Sequence, residues 1–331
     1  MANNYPPISV IIAARNEDEN LDSFLPKILN QKYPEFEVIV VNHQSVDYTK
    51  MIVGELEKKH DNLRMITIER SPHLKVGKKL PITVGVKGAK YDNLIFTDAD
   101  CEPASENWLK LMARNFNQKE IVLGYGPYKK QKGFLNSLIR FDTVHAAINY
   151  LGFAKAGICY MAVGRNMGYT KDLFFEVGGF KNHYNLVSGD DDLFVQEAAK
   201  GKNFAVELNP ESFVYSEPKS NWTDWINQKR RHFTTAPEYK SNHKRWIGLK
   251  PLALLIFLVS FTFLILTSSF WMFILCILLF RYAISWIING MLFTRFKSGD
   301  LVPFFPFFEI IHLIVIPSIY YTNDIQKKGK W

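Results

Sequence analysis

From Leu252 to Phe280 the chain carries no charged residue, a run of 29 that opens LALLIFLVSFTFLILTSSF, continues WMFILCILLF and stops at Arg281. A helix needs about 20 consecutive apolar residues to cross the hydrocarbon core of a bilayer. Together with the apolar ISWIINGMLF after Arg281, the run is long enough for two spans, and Thr267, Ser268 and Ser269 mark the turn between them. We expect a helical hairpin over 250–293, its arms 250–267 and 270–293. The alternative is a pair of apolar core helices in a soluble protein, but charge-free runs of this length are rare outside lipid.

The charges flanking the hairpin agree with a membrane. Residues 228–250 hold Lys229, Arg230, Arg231, Lys240, Lys244, Arg245 and Lys250 against one acid, Glu238. Basic flanks stay on the cytoplasmic side and attract anionic headgroups. Much of the formal net charge of +8 is therefore a membrane-surface signal. Nucleic acid is not expected as a partner, because no recognised motif and no interleaving of aromatic and basic residues accompanies the charge. A third apolar segment, LVPFFPFFEIIHLIVIPSIYY (301–321), contains three prolines, Glu309 and His312, and is followed by Lys327, Lys328 and Lys330. A third span would carry that basic tail across the membrane, so a kinked interfacial or re-entrant segment is expected. Glu309 and His312 would then face protein or an acceptor headgroup.

The preceding part reads as α/β. Apolar stretches at Ile8–Ala13, 36–42 and 63–69 and the run YDNLIFTDAD have the character of buried strands, with helical segments between them. That alternation predicts a mostly parallel sheet with helices on both faces. Beyond it, 121–128 and 203–208 read as strands and 134–153 as a long helix. The N-terminus lacks a charged segment followed by an apolar one, so no secretory signal is expected and the α/β part should stay cytosolic. Cys101, Cys159 and Cys276 form neither a zinc cluster nor a disulfide framework.

Three clusters carry candidate chemistry. Asp98 and Asp100, one residue apart, end a buried strand, where carboxylates reach a divalent cation or a ribose, or simply decorate a solvated turn. SGDDDLF (188–194) sets three carboxylates in a row ahead of a helix. Their repulsion raises the proton affinity of at least one, as a general base requires, although acids also suit a helix N-terminus. In WTDWINQKRRHF (222–233), Gln228 and Arg231 share a helix face, and the aromatics can stack on a sugar or lie at headgroup level.

In order, these pieces resemble a family 2 glycosyltransferase, the inverting GT-A type. The resemblance runs from residue 8 to about 233, through SVIIAARNE, EVIVVNHQSVDYT, VGKKLPITVGVKGAKYDNLIFTDADC, GRNMGYTKDLFFEVGGF, SGDDDLF and QKRRH, the last similar to a Q-x-x-R-W element of processive and lipid-acceptor members. It implies a cytosolic GT-A domain over 1–235 and a membrane region over 236–331. It further implies that Arg15, Glu17, Asn42 and His43 face the nucleoside and that Lys78 approaches base or phosphate. Asp98 and Asp100 would hold the ribose and a Mg²⁺ or Mn²⁺ ion, with Asp191, or its neighbour Asp190, as the base. Gln228, Arg231 and His232 would line the acceptor channel or touch the diphosphate.

Two substitutions depart from the pattern. His43 replaces an acid that accepts a bond from uracil; a neutral imidazole can also accept one. A UDP-sugar is thus the favoured donor and a GDP-sugar the alternative. His232 replaces the tryptophan of Q-x-x-R-W, and the membrane region is short for a polysaccharide channel. The expected activity is transfer of one sugar to a lipid or lipid-linked acceptor at the cytosolic face, at the plasma or inner membrane if the source is bacterial. A processive polysaccharide synthase and a catalytically silent nucleotide-binding scaffold are the alternatives. A nucleotidyltransferase is disfavoured because AARNEDEN has no glycine to form a phosphate-cradling loop.

Overall fold

The computed structural model describes residues 5–71, 74 and 77–322, so the basic tail with Lys327, Lys328 and Lys330 lies outside the described residues. Among the described residues the chain forms two compact units, one within 5–129 and 150–218, the other within 130–149 and 219–322. The second unit thus begins ahead of residue 235, because the helix holding Gln228 groups with the apolar helices.

The first unit opens with the expected alternation: β1 (Ile8–Ala14), α1 (Asp18–Leu29), β2 (Phe36–His43), α2 (Thr49–Glu57), β3 (Leu63–Ile68), α3 (Lys79–Gly88) and β4 (Asn93–Asp98). It continues through β5 (Cys101–Pro103), α4 (Trp108–Ala113), β6 (Ile121–Leu123), α5 (Phe134–Lys155), β7 (Met167–Thr170), α6 (Lys171–Glu176), α7 (Asp192–Ala198), β8 (Phe204–Val206) and β9 (Val214–Ser216). The main sheet has the order β3-β2-β1-β4-β7-β6-β8. The strands from β3 to β4 are parallel, β7 is antiparallel to both β4 and β6, and β8 is parallel to β6. Ile8, Val10, Ile12, Val38, Val40 and Ile95 are fully buried under helices, as continuous apolar strands require.

The sheet is therefore mostly parallel, as expected, with β7 as its antiparallel strand. Strands β5, β7 and β9 escaped the sequence reading, being three or four residues long and, unlike β6 and β8, not set in a longer apolar stretch. Crossing between β1 and β4, the chain reverses its direction of winding, which opens a crevice at the carboxyl ends of those strands. Ala13 lies opposite Asp98 there.

The second unit holds α8 (Trp222–Phe233), α9 (Ser241–Thr267), α10 (Trp271–Arg295) and α11 (Phe305–Tyr321), with the first turns of α5. Among the described residues three helical stretches are long and apolar enough to cross a membrane, Ser241–Thr267, Trp271–Arg295 and Gly299–Tyr321. The hairpin is present, its first arm starting nine residues earlier than expected because the basic stretch before Lys250 is already helical. Arg281, which ends the apolar run, donates to both oxygens of Glu309 (2.7 and 3.0 Å). An ionisable group among apolar helices requires such a partner. Glu309 and His312 both face protein, as expected.

Helix α5 is fastened within this unit by buried polar contacts. Arg140 donates to both oxygens of Asp300 (2.8 and 2.6 Å), and Phe141 packs on Phe293, Phe305 and Phe308. Asp142 accepts from Lys229 of α8 (2.6 Å) and lies 3.0 Å from Nε2 of His312 on α11. Burial alone would raise the Asp142 carboxyl, but Lys229 and His312 outweigh it and hold it well below the usual carboxylate range. Asp142→Asn should cost about 3 kcal/mol, since it leaves Lys229 as a buried charge without its counter-ion. The sign follows from the lowered value. The loss is full above the ordinary carboxylate value of 3.8 and shrinks as pH falls below it. Thermal unfolding of both proteins in detergent across pH 3 to 7 checks this, and an equal loss at every pH would contradict it.

Candidate active site

The loops that follow β1 and β2 are interlocked by their own polar side chains. Asn16 and Gln44 adopt φ of 55° and 58°, a left-handed conformation that asparagine tolerates better than most residues. The Asn16 amide donates to Ser45 Oγ (3.0 Å), and Val46 donates back to Asn16 Oδ1 (2.8 Å). Thr49 Oγ1 accepts from Glu17 N (2.9 Å), while Asp47 accepts from Asp18 N (3.2 Å) and Thr49 N (3.1 Å). The turn SVDYT thus supplies acceptors for the first amides of α1 and α2, which helix geometry leaves unsatisfied.

This rim brings the expected nucleoside-side residues to one place. His43 is fully buried, and burial with the neighbouring Arg15 lowers its pKa, keeping the imidazole neutral. Asn42 is buried beside it, and no described residue bonds to its Oδ1 or to Thr97 Oγ1 on β4. Buried polar atoms without partners are rare, so these are positions where a polar ligand gains a bond. Glu17 is raised by burial, eased by its bond to Asn20 (2.6 Å), and raised further by Asp100 and Asp98.

Asp98 closes β4, and Lys78, the residue before α3, donates to it across 2.5 Å. Oxygens of Asp98 and Asp100 and the Cys101 sulfur lie within 4.8 Å of one another. The thiol is buried, in contact with Ser216 Oγ (3.4 Å), and burial pushes its pKa up, so it stays protonated and is a poor ligand. What remains is a pair of carboxylates, the hard oxygen donors that Mg²⁺ and Mn²⁺ take. The residues fit such an ion.

Asp191 caps α7 and is held by two backbone donors, Asp192 N (2.8 Å) and Gly164 N (3.0 Å). Burial, then Asp190 and Asp192, push its carboxyl up to about 8. The residue at the helix N-terminus is thus also the one with raised proton affinity. Gln228, Arg231 and His232 lie on α8 in the other unit, with Gln228 and Arg231 partly buried and His232 exposed.

Two cations were missed. Arg165 follows Gly164, donates from Nε to the carbonyl of Gly126 (3.0 Å) and from Nη1 to Tyr128 OH (3.2 Å), and lies over the Tyr128 ring. Asp98 contributes to its electrostatic environment. A side chain at Gly126 would collide with the guanidinium, so the pair Gly126 and Arg165 was the available signal. The second is Lys79, a lysine 4% exposed.

Residues 9–177 match the description "Glycosyl transferase family 2", and 95–294 match "Glycosyl transferase family group 2". The chain belongs to glycosyl transferase family 2. A probable glycosyltransferase, YdaM of Bacillus subtilis, is 24% identical over 233 residues, 68% of this chain and 54% of that protein. The beta-monoglucosyldiacylglycerol synthase of Trichormus variabilis is 29% identical over 151 residues, 43% of this chain and 30% of that protein. The family 2 chain thus spans about half or less of the length of these relatives. The mannosyltransferase PcManGT of Pyrobaculum calidifontis, solved with GDP-Man and Mn²⁺, superposes with a TM-score of 0.59 at 17% identity, over 97% of this chain and 89% of that one. The fold is accordingly GT-A.

The raised Asp191 carboxyl has a consequence for stability. Between the ordinary value of 3.8 and about 8 the folded family 2 chain keeps a proton that the unfolded chain has released. Stability falls through that window and levels off above it. Asp191→Asn removes this titration, so the melting temperature of the variant relative to the native protein should climb from pH 4 to pH 8. A constant or narrowing difference would contradict the assignment.

Proposed function

We propose that the family 2 chain is an inverting glycosyltransferase that moves one sugar from a nucleotide-sugar to a hydroxyl of a lipid or lipid-linked acceptor. The observation that carries this reading is the pairing, at one sheet edge, of the Asp98–Asp100 carboxylates beside Lys78 with a buried, backbone-pinned Asp191 of raised pKa. Asp191 takes the proton of the acceptor hydroxyl as that oxygen bonds to the anomeric carbon. The bond from that carbon to the diphosphate oxygen breaks on the opposite face, and configuration inverts. Lys78 and Arg165 supply positive charge for the departing diphosphate. Asp98 and Asp100 would hold Mg²⁺ or Mn²⁺, which neutralises diphosphate charge when bound. Arg15, Glu17, Asn42 and His43 contact the nucleoside; Gln228, Arg231 and His232 serve the acceptor or diphosphate, on the strength of their motif.

A lipid acceptor is supported by the apolar helices of the chain and by a relative named for a diacylglycerol product. Single transfer is favoured over polymer synthesis because the exposed His232 stands where a stacking tryptophan would be. UDP-sugars remain the first donors to test, followed by the GDP-sugar class present in the PcManGT complex.

The contacts of α11 favour two spans with an in-plane third helix. At one end Phe308 stacks on Phe134, which also meets Trp222 of α8 (6.2 Å). At the other end Tyr320 meets Phe233 of α8 (5.6 Å), and Arg230 donates to the Thr322 carbonyl (3.2 Å). Helix α8 carries Asp224, Lys229, Arg230 and Arg231 and cannot lie in hydrocarbon. A helix alongside it at both ends stays at the same depth. Phe307, Ile310, Ile314 and Tyr321 are exposed on α11 and are available to face lipid. The α/β domain and the chain end then share the cytosolic side.

Three measurements test these statements. Asp191→Asn should lower the rate by about 10²- to 10⁴-fold while nucleotide affinity is kept; comparable turnover would move the base to Asp190 or Asp192. The native rate should rise with pH through about 8, as Asp191 gives up its proton, and the variant should lack that limb. Asp100→Ala should abolish the Mn²⁺-dependent part of nucleotide affinity in calorimetry. Equal affinity with Mn²⁺ and with chelator in the native protein would refute the metal assignment. In sealed vesicles, a single cysteine at Ser268 should react from the non-cytosolic side and one at Lys328 from the cytosolic side; a reversed tail would make α11 a span.

A further inference from the structure

We propose that Lys79 is a positioning residue that fastens the loop bearing Asp191 to the helix bearing the donor-side lysine; the inference rests on Asp191 being the base. Lys79 opens α3 directly after Lys78, and adjacent residues at a helix start project about 100° apart. Lys78 reaches Asp98 (2.5 Å), whereas Lys79 turns inward and is nearly fully buried. A lysine is almost never buried without partners. Its ammonium donates to the backbone carbonyls of His183 and Leu186 (3.1 Å to the latter).

Those carbonyls belong to the stretch that runs through Gly189 into Asp190 and Asp191. At Gly189 the backbone has φ of 104°, a conformation that other residues enter only with strain. The same stretch is held from behind by α7, where Glu197 bonds Asn182 (3.2 Å) and approaches His183 (3.3 Å). The loop is thus clasped between α7 and α3. A cavity of about 60 Å³ lies along the seam between Lys79 and Tyr184–Val187 and leaves the loop room to shift when the clasp is released. The charged and titratable groups facing Lys79 are Asp190, Asp191, Asp192, Glu197 and His183. Lys79 bonds the backbone of this acidic loop and is a cation that interacts with Asp190, Asp191 and Asp192, so it acts both as a tether and as a charge that eases ionisation of Asp191. The two adjacent lysines place donor-side and acceptor-side chemistry on one helix end.

The test uses the chain in detergent with Lys79→Met (neither tether nor charge), Lys79→Gln (an amide N–H that can donate to the loop carbonyls, without charge) and Lys79→Arg (both kept). UDP or GDP with Mn²⁺ should bind all three with affinity within about twofold of native, as expected for a group that contacts no donor atom. In Lys79→Met, kcat should fall about 10- to 100-fold with donor KM nearly unchanged, because misplacement of a base by a fraction of an ångström is enough. The midpoint of the rising pH limb should move up about half a unit in the Met and Gln variants and return in Arg, following the charge. Without any substrate, amide exchange over 184–191 should quicken in Met. Where Lys79→Met fails to fold, Gln and Arg decide the matter. An unmoved midpoint with unchanged exchange would overturn the proposal, and so would a loss carried by nucleotide affinity. If Asp191→Asn turns over normally, the base reading falls, and exchange over 184–191 still decides whether Lys79 is the tether.

Discussion

Like charges gathered at one sheet edge repel, and the first unit is built around that constraint. Glu17, Asp98, Asp100, Asp190, Asp191 and Asp192 all come from loops or strand ends after β1, after β4 or before α7. In a partly dehydrated crevice such a set ionises only at a cost. The chain answers with cations from two places: the start of α3, which sets Lys78 beside Asp98 and the buried Lys79 under the acidic loop, and the segment before β7, which carries Arg165. The compensation is uneven. Asp98 has a direct counter-ion, whereas Asp191 has only two amides and keeps a raised proton affinity. The carboxylate at the end of β4 and the one at the start of α7 therefore sit in different surroundings.

The second unit solves the opposite problem, the placement of a few charges among many apolar side chains. Arg140, Asp142, Arg281, Asp300 and Glu309 are each paired or networked, and the partners lie on different helices. Buried pairs of this kind add little net stability, but losing one partner is severe. They therefore fix which helix faces which. Asp142 does this for three helices at once, through Lys229 on α8 and His312 on α11. Because Lys229 follows Gln228, the same bond orients the α8 face that carries Gln228 and Arg231.

What the sequence disclosed and what it concealed divide along physical lines. The apolar strands of β1 to β4, the hairpin and the long α5 were legible because each is a sustained pattern. The acidic motifs were legible because their residue types are costly to collect without a reason. Lys79 was not, since its partners are backbone carbonyls that any sequence would supply, and a lysine at a helix start ordinarily lies in water. Arg165 was hidden in a segment noted only for its resemblance. The division at α8 was hidden too. Trp222 and Trp225 fit a sugar-stacking helix and a membrane-surface helix equally, and only the contacts with Phe134, Asp142 and Thr322 place it among the apolar helices.

His43 illustrates how a departure from a family pattern follows from local electrostatics. An acid at this fully buried position would be a buried negative charge, with Arg15 beside it as relief. A neutral imidazole fills the space without that charge, and Arg15 further disfavours its protonation. The ring can donate from one nitrogen and accept at the other, with the tautomer set by whatever it faces. A carboxylate, by contrast, only accepts. The imidazole thus offers a choice of hydrogen-bond pattern that a carboxylate lacks, beside an Asn42 oxygen that no described residue bonds.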